Sequence, residues 1–201
     1  MEIIVLTKSF KNGKYCVAGL DINNNSMIRL GIDETFEISN YELKDKNKIF
    51  INIGDIIKIT KYKNMPIKNQ PENIIIDFND VEIISNNSDK IINILNSNLT
   101  NADYVFVNNN SYLQEYELNN EYSLSIIEVS DMTIYISDYN NKTKANFHHK
   151  NNKYTNFSVT DPNYFNIKDE IMIKRAYCIA SLSNVPYNGN YYKFIAKIFE
   201  Y

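Results

Sequence analysis

One dipeptide, used twice near opposite ends, constrains this chain most. Asn12-Gly13 lies between EIIVLTKS (2–9) and YCVAGLDI (15–22), and Asn188-Gly189 lies between EIMIKRAYCIASLS (170–183) and YYKFIAKIFEY (191–201). Asn-Gly takes the positive φ angles of a type I′ turn, whose twist matches that of the strands it joins, so each site reads as the tip of a β-hairpin. The sequence between them continues the pattern. NNN (23–25) turns into SMIRLGI (26–32), which makes the first hairpin a three-stranded meander. IGDIIKITKY (53–62), NIIIDF, VEII, DYVFVN (103–108), YSLSIIEVSD (122–131), MTIYISDY (132–139) and KYTNFSVTD (153–161) are further short runs rich in β-branched and aromatic residues. A single helix is expected over 85–98, with Ser88 as its cap and Ile91, Ile92 and Leu95 on one face. Short strands with regular turn signals and few helices indicate an all-β protein of barrels or sandwiches. The Asn-rich stretch around 96–101 divides it into residues 1–98 and 99–201.

Composition excludes several functions. At 201 residues and 44% hydrophobic, the chain buries a core without disulfides or metal. A net charge of −3 and a pI of about 5.5 argue against indiscriminate binding to duplexes, which needs a strongly basic face, but leave room for a local basic groove. The opening MEIIVLTKSF carries an acid and too short an apolar run for a signal peptide. No stretch approaches the ~20 apolar residues of a membrane span. The expected setting is cytoplasmic, where the two cysteines stay free thiols. The Asn runs carry no functional weight.

Both cysteines sit in matching segments, KYCVAGL (14–20) and AYCIASL (176–182). Side chains of a strand alternate between faces, so Cys16, Ala18 and Leu20 share one face, as do Cys178, Ala180 and Leu182. Such stripes suit a narrow apolar core, where a free cysteine packs as a small hydrophobe. A metal site is disfavoured: there is no C-x-x-C, and the only histidines are the adjacent His148 and His149, expected as a surface pair. No base is placed beside either thiol, the carboxylates are scattered, and neither a P-loop nor G-x-G-x-x-G occurs. No catalytic residue, metal ligand or cofactor site is assigned, and the protein is expected not to be an enzyme.

Four segments in order carry a family resemblance: VLTKSFKNGKYCVAGLD with MIRL, then QPEN (70–73), YTNFSVTDP (154–162) and SLSNVPYNGNYYKFIAKI (181–198). Together they resemble the prokaryotic dual OB-containing domain family along nearly the whole chain. The resemblance implies two OB-like β-barrels packed as one compact unit, with a short helix between them. It also implies binding of nucleic acid or nucleotides in bacterial conflict or phage defence. Met27 departs from the pattern, standing before IRL where an aromatic is common.

OB barrels hold single strands by laying bases on aromatics and phosphates along cations. Segments that interleave the two include TKSFKNGKY (7–15), KITKYK (58–63), FHHKNNKY (147–154) and GNYYKFIAK (189–197), although each alone also reads as an ordinary solvated face. Arg29, inside an apolar strand, and Arg175 are the only arginines; either a bidentate ligand contact or a structural salt bridge, for example with Asp161, accounts for them. Asp161 before Pro162 is read as a turn starter rather than a ligand-facing acid. Because terminal strands in compact domains often lie close together, the expected ligand residues are Lys8 and Lys11 for phosphate, Arg29 for a bidentate contact, and Tyr192 as a stacking face beside Lys193. The function expected is non-enzymatic binding of nucleic acid, single-stranded by preference, in a prokaryotic or phage conflict setting. A pocket for a nucleotide or nucleotide-derived signal and a protein-interaction module of a defence system are the alternatives.

Overall fold

The first strand, β1 (Glu2–Lys11), has an unbroken apolar run because it is covered on both faces. Ile3 and Val5 turn into one core, Ile4 and Leu6 into another. The structure is a computed structural model that describes every residue except Asn12, Asn119 and Asn120. β1 pairs antiparallel with β2 (Lys14–Asp21), and β2 with β3 (Met27–Gly31). Lys11 pairs with Lys14 at the end of this hairpin. Gly13 has φ +82°, as a type I′ turn requires, while Asn12 lies outside the described residues.

The meander then curls. β4 (Asp55–Ile59) returns beside β1, β5 (Tyr62–Asn64) pairs with β6 (Asn73–Ile76), and β6 lies parallel to β3. β7 (Val81–Asn86) adds an edge beside β4. Only Thr60 and Lys61 separate β4 from β5. The half-barrel is therefore joined through the covalent chain, with β4 held to β1 and β5 held to β6.

The second sheet closes fully. After helix α1 (Ile91–Ser97) and the short β8 (Tyr112–Gln114) come β9 (Leu124–Ile136), β10 (Thr143–His149), β11 (Asn152–Val159), β12 (Ile171–Leu182) and β13 (Asn190–Glu200). β9 pairs with β10 and β12, β10 with β11, β12 with β13, and β11 runs parallel to β13. Numbered within the barrel, the order is 1-2-3-5-4 with one parallel contact between the third and fifth strands. The first sheet repeats it, with β4 and β5 together in the fourth place and β6 in the fifth. This is the Greek-key strand order of the OB fold, closed into a five-stranded barrel in the second sheet and curled into a half-barrel in the first. β8 extends the second barrel beside β13. Asn188 and Gly189, at φ +50° and +77°, form the tip of the β12–β13 hairpin, as the dipeptide predicts.

Three cores result. One fills the first sheet around Val5, Val17, Leu30 and Ile57; one fills the second barrel around Phe147, Tyr154 and Phe157. The third joins them: Ile4, Leu6, Ala18 and Leu20 meet Leu124, Ile126, Tyr177, Ile179 and Ala196, with Ile91 and Leu95 of α1 among them.

Local patterning misses four features. α1 is shorter than the expected helix and starts from Lys90 without a side-chain cap; Ser88 belongs to a preceding 3₁₀ turn, where its hydroxyl donates to Asn86 Oδ1 at 2.7 Å. The runs at 122–131 and 132–139 are one strand, β9, bent at Asp131, whose φ of +49° marks a bulge that brings both Val129 and Met132 inside. DYVFVN is not a strand, although Val105 and Phe106 are buried. β10 escaped because His and Asn interrupt its apolar positions, yet Thr143, Ala145, Phe147 and His149 all point inward. His149 is thus not a surface residue. Its Nδ1 lies 2.8 Å from the Glu128 carbonyl and its Nε2 3.3 Å from that of Ala102, fastening the segment after α1 to the barrel. Tyr154 Oη accepts from the Val105 amide at 2.9 Å to the same effect.

Candidate ligand cleft between the barrels

The seam between the barrels is built from the chain's most distinctive short segments. Thr7 donates through Oγ1 to the Ala196 carbonyl at 3.2 Å, and the Phe10 amide donates to the Thr160 carbonyl at 2.9 Å. QPEN spans the seam from the other side. Gln70 Nε2 donates to the Leu182 carbonyl at 2.9 Å, and Asn73 Nδ2 donates to Gln70 Oε1 at 3.1 Å. Glu72 accepts from Arg29 Nη2 at 3.4 Å, from the Ser123 amide at 3.3 Å and from the Ser123 hydroxyl. Arg29 Nη2 also donates to Ser123 Oγ at 2.8 Å. Each barrel therefore supplies partners to the other's buried polar groups, as burial demands.

A cleft opens along this seam, with a cavity volume of about 60 Å³. Ser9, Lys11, Cys16, Arg29 and Glu37 line one wall, and Thr160, Ser181, Ser183 and Phe194 the other. Lys11 reaches across it, its Nζ 5.5 Å from the centre of the Phe194 ring. Arg29 is the buried cation of the cleft. Only its Nη2 is hydrogen-bonded among the described residues, and its Nε is buried without a partner. Burial pushes the Cys16 thiol up, with Arg29 and Lys11 drawing it down and Glu37 adding to the rise; the net direction is upward, so the thiol stays protonated.

A family model for the dual OB-containing domain matches residues 1–198. The chain belongs to the dual OB-containing domain family. Neither a curated protein nor a solved structure matches it. The four segments that carry the resemblance are the ones that meet at the seam, so the dual OB domain is held together where its distinctive residues lie. Met27, the departure, packs against the inter-barrel core as an ordinary apolar side chain.

Of the five expected ligand residues, the dual OB domain brings Lys11 and Arg29 to the cleft and places the other three elsewhere. Lys8 donates to the Ile51 carbonyl at 2.8 Å, and burial lowers its pKa against the opposing charge of Asp55. Lys193 points into the second barrel, 1% exposed, with Nζ bonded to the carbonyls of Val105 (2.8 Å) and Asn108 (2.7 Å) and to Asn108 Oδ1 (2.9 Å). Burial pushes it down to about 7, with Glu117 acting in the opposite direction. These three contacts commit its amine to holding a loop. Tyr192 lies outside the cleft, near Tyr112 and Tyr187.

Other expectations resolve too. Arg29 forms the buried salt bridge, but with Glu72. Asp161 bonds Lys197 Nζ at 2.9 Å and the Ile198 amide at 3.1 Å, not Arg175, which is exposed; it also receives the Asn163 amide at 3.2 Å, so the turn reading holds. Cys178 is fully buried, whereas Cys16 is half-buried at the cleft, and both are free. Sequence reasoning missed Glu37, Ser183 and Phe194. Phe194 alone had a signal, since it shares a strand face with Tyr192. Among the described residues no His, Cys, Asp and Glu cluster is arranged to hold a metal, and no helix is long and apolar enough to cross a membrane.

Proposed function

We propose that this protein binds single-stranded nucleic acid without catalysing a reaction on it, and that the inter-barrel cleft takes one phosphate–ribose unit of the strand. The observation that carries this reading is the pairing of two cations with so small a cavity. Lys11 stands at the mouth and Arg29 lies within, both suited to a phosphate oxygen, and Glu37 on the same wall suits a ribose hydroxyl or a base amino group. A cavity of about 60 Å³ holds a few waters or a phosphate. Small-molecule pockets run to roughly 300–1,000 Å³. A strand, which leaves most of itself outside, fits better than a whole nucleotide engulfed in a pocket. The raised Cys16 thiol argues against its use as a nucleophile. The setting we propose is a reducing cytoplasm, in a prokaryotic or phage conflict system.

Fluorescence anisotropy of a labelled oligothymidylate across a salt series tests this. Binding should weaken as salt rises, with a log–log slope of about −0.7 for each phosphate neutralised, and Lys11→Gln should lower the slope by about one such contact. No binding at low salt, or a slope that Lys11→Gln leaves unchanged, refutes the assignment.

A further inference from the structure

β13 alternates between two environments. Tyr191, Lys193 and Ile195 point into the barrel, while Tyr192, Phe194 and Ala196 face outward. Along the outward face Ala196 belongs to the inter-barrel core, Phe194 lines the cleft, and Tyr192 follows two residues further out. There Tyr192 meets Tyr112 of β8, with ring centres 6.0 Å apart, and Tyr187 of the β12–β13 turn, with centres 6.3 Å apart. Ser183 joins this row to the cleft. It lines the cleft, its amide donates to the Tyr192 carbonyl at 2.8 Å, and its Oγ accepts from the Tyr192 amide at 3.0 Å. The committed bonds of Lys193 hold the same stretch of strand from behind.

These tyrosines differ from the structural ones. Tyr135, Tyr154, Tyr164, Tyr177 and Tyr201 each hydrogen-bond through the hydroxyl. Among the described residues the hydroxyls of Tyr112, Tyr187 and Tyr192 bond to no protein group, and Tyr187 is 68% exposed. Tyr112 and Tyr192 are half-buried, so the three rings reach the surface without serving as hydrogen-bonding anchors. The row begins beside the cations Lys11 and Arg29, and the ion pair of Lys68 with Glu115, at 2.6 Å, follows β8 just beyond Tyr112.

We propose that this row is a base-stacking track continuous with the cleft: a strand with one phosphate at Lys11 lays its neighbouring bases on Tyr192 and Tyr187, with Tyr112 backing Tyr192. The inference rests on the strand-binding reading of the cleft and adds to it a site that recognises bases. Stacking on aromatic faces is tolerant of sequence, so the track gives preference for single strands without a sequence code.

The test compares oligothymidylate of twelve nucleotides with an abasic oligomer of equal length and charge, each titrated into the whole protein at fixed low salt. The wild type should prefer the base-bearing oligomer by about tenfold, the scale of one stacked base. Tyr192→Leu and, separately, Tyr187→Leu should each remove most of that preference while leaving affinity for the abasic oligomer unchanged; Tyr192→Phe should keep it. Thermal melting identifies any variant that fails to fold, and Tyr187, in an exposed turn, supplies the second variant. If both oligomers bind the wild type equally, or if both leucine variants keep the preference, the track is overturned and the cleft stands. If neither oligomer binds the wild type, both assignments fall.

Discussion

Arg29→Ala removes the cation that links the two barrels. In the wild type Arg29 is 5% exposed and Glu72 is half-buried with its side chain 9% exposed; they meet at 3.4 Å, and Ser123 from the other barrel bonds to both. Deleting one partner of a buried pair leaves the other charged and uncompensated, which costs about 3–5 kcal/mol. Two features place this pair at the lower end. The contact is made through one nitrogen rather than as a fork, and Glu72 keeps the Ser123 amide and hydroxyl. We therefore expect about 3 kcal/mol. For a chain of this size each kcal/mol moves the melting temperature by roughly 2–4 °C, so the variant should melt about 6–12 °C below wild type. Differential scanning calorimetry at pH 7 reads this directly. Arg29→Met with Glu72→Gln removes both charges and should recover most of the loss, because no unpaired ion is left. A single variant that melts within about 2 °C of wild type, or a double variant no more stable than the single one, refutes the cross-barrel tie.

Two further outcomes follow from burial and charge. Iodoacetamide at pH 8 should leave Cys178 unmodified in the native protein and label Cys16 only slowly, because burial raises both thiols while Cys16 alone borders the cleft; peptide mass spectrometry distinguishes them, and fast labelling of Cys178 contradicts its place in the core. Asp45 is raised by burial but lowered further by the amides of Ile49, Ile83 and Asn47, so its folded pKa lies below the unfolded value of 3.8. A depressed carboxyl stabilises the fold above the unfolded value and loses that contribution as pH falls through the folded one. Urea melts between pH 5 and 2 should therefore show wild type losing more stability than Asp45→Asn, and parallel losses would sink the idea.

The strands and their hairpin tips were legible because a two-residue turn and alternating side chains are local properties. Asn188 and Gly189 adopt the angles their dipeptide demands, and β1 and β12 lie where their apolar runs do. What sequence could not show is which side of a strand becomes the inside. The matched Tyr-Cys segments illustrate this. In β2, Tyr15 and Val17 face the first core while Ala18 and Leu20 face the seam; in β12, Cys178, Ala180 and Leu182 face the barrel interior while Tyr177 and Ile179 face the seam. The same alternation is read with opposite hands, because each strand's inside depends on how its own sheet curls. Bulges add to this. Asn156, at φ +61°, brings both Tyr154 and Phe157 into the core, which strict alternation forbids. Part of the candidate site was visible for a related reason. Arg29 stood out as a charge inside an apolar strand and Lys11 as a cation beside aromatics, but Lys193 looked like Lys11, and only the loop at 105–108 determines that its amine is enclosed.

The inter-barrel core also makes each half of the chain dependent on the other. A gene fragment encoding the first sheet alone would yield a product with Ile4, Leu6, Ala18, Leu20 and Ile56 turned to water, together with an arginine parted from Ser123. The complementary fragment would bare Leu124, Ile126, Tyr177 and Ile179. Apolar patches of that kind promote aggregation. A chain severed near its middle should therefore stay soluble only when both halves are produced together.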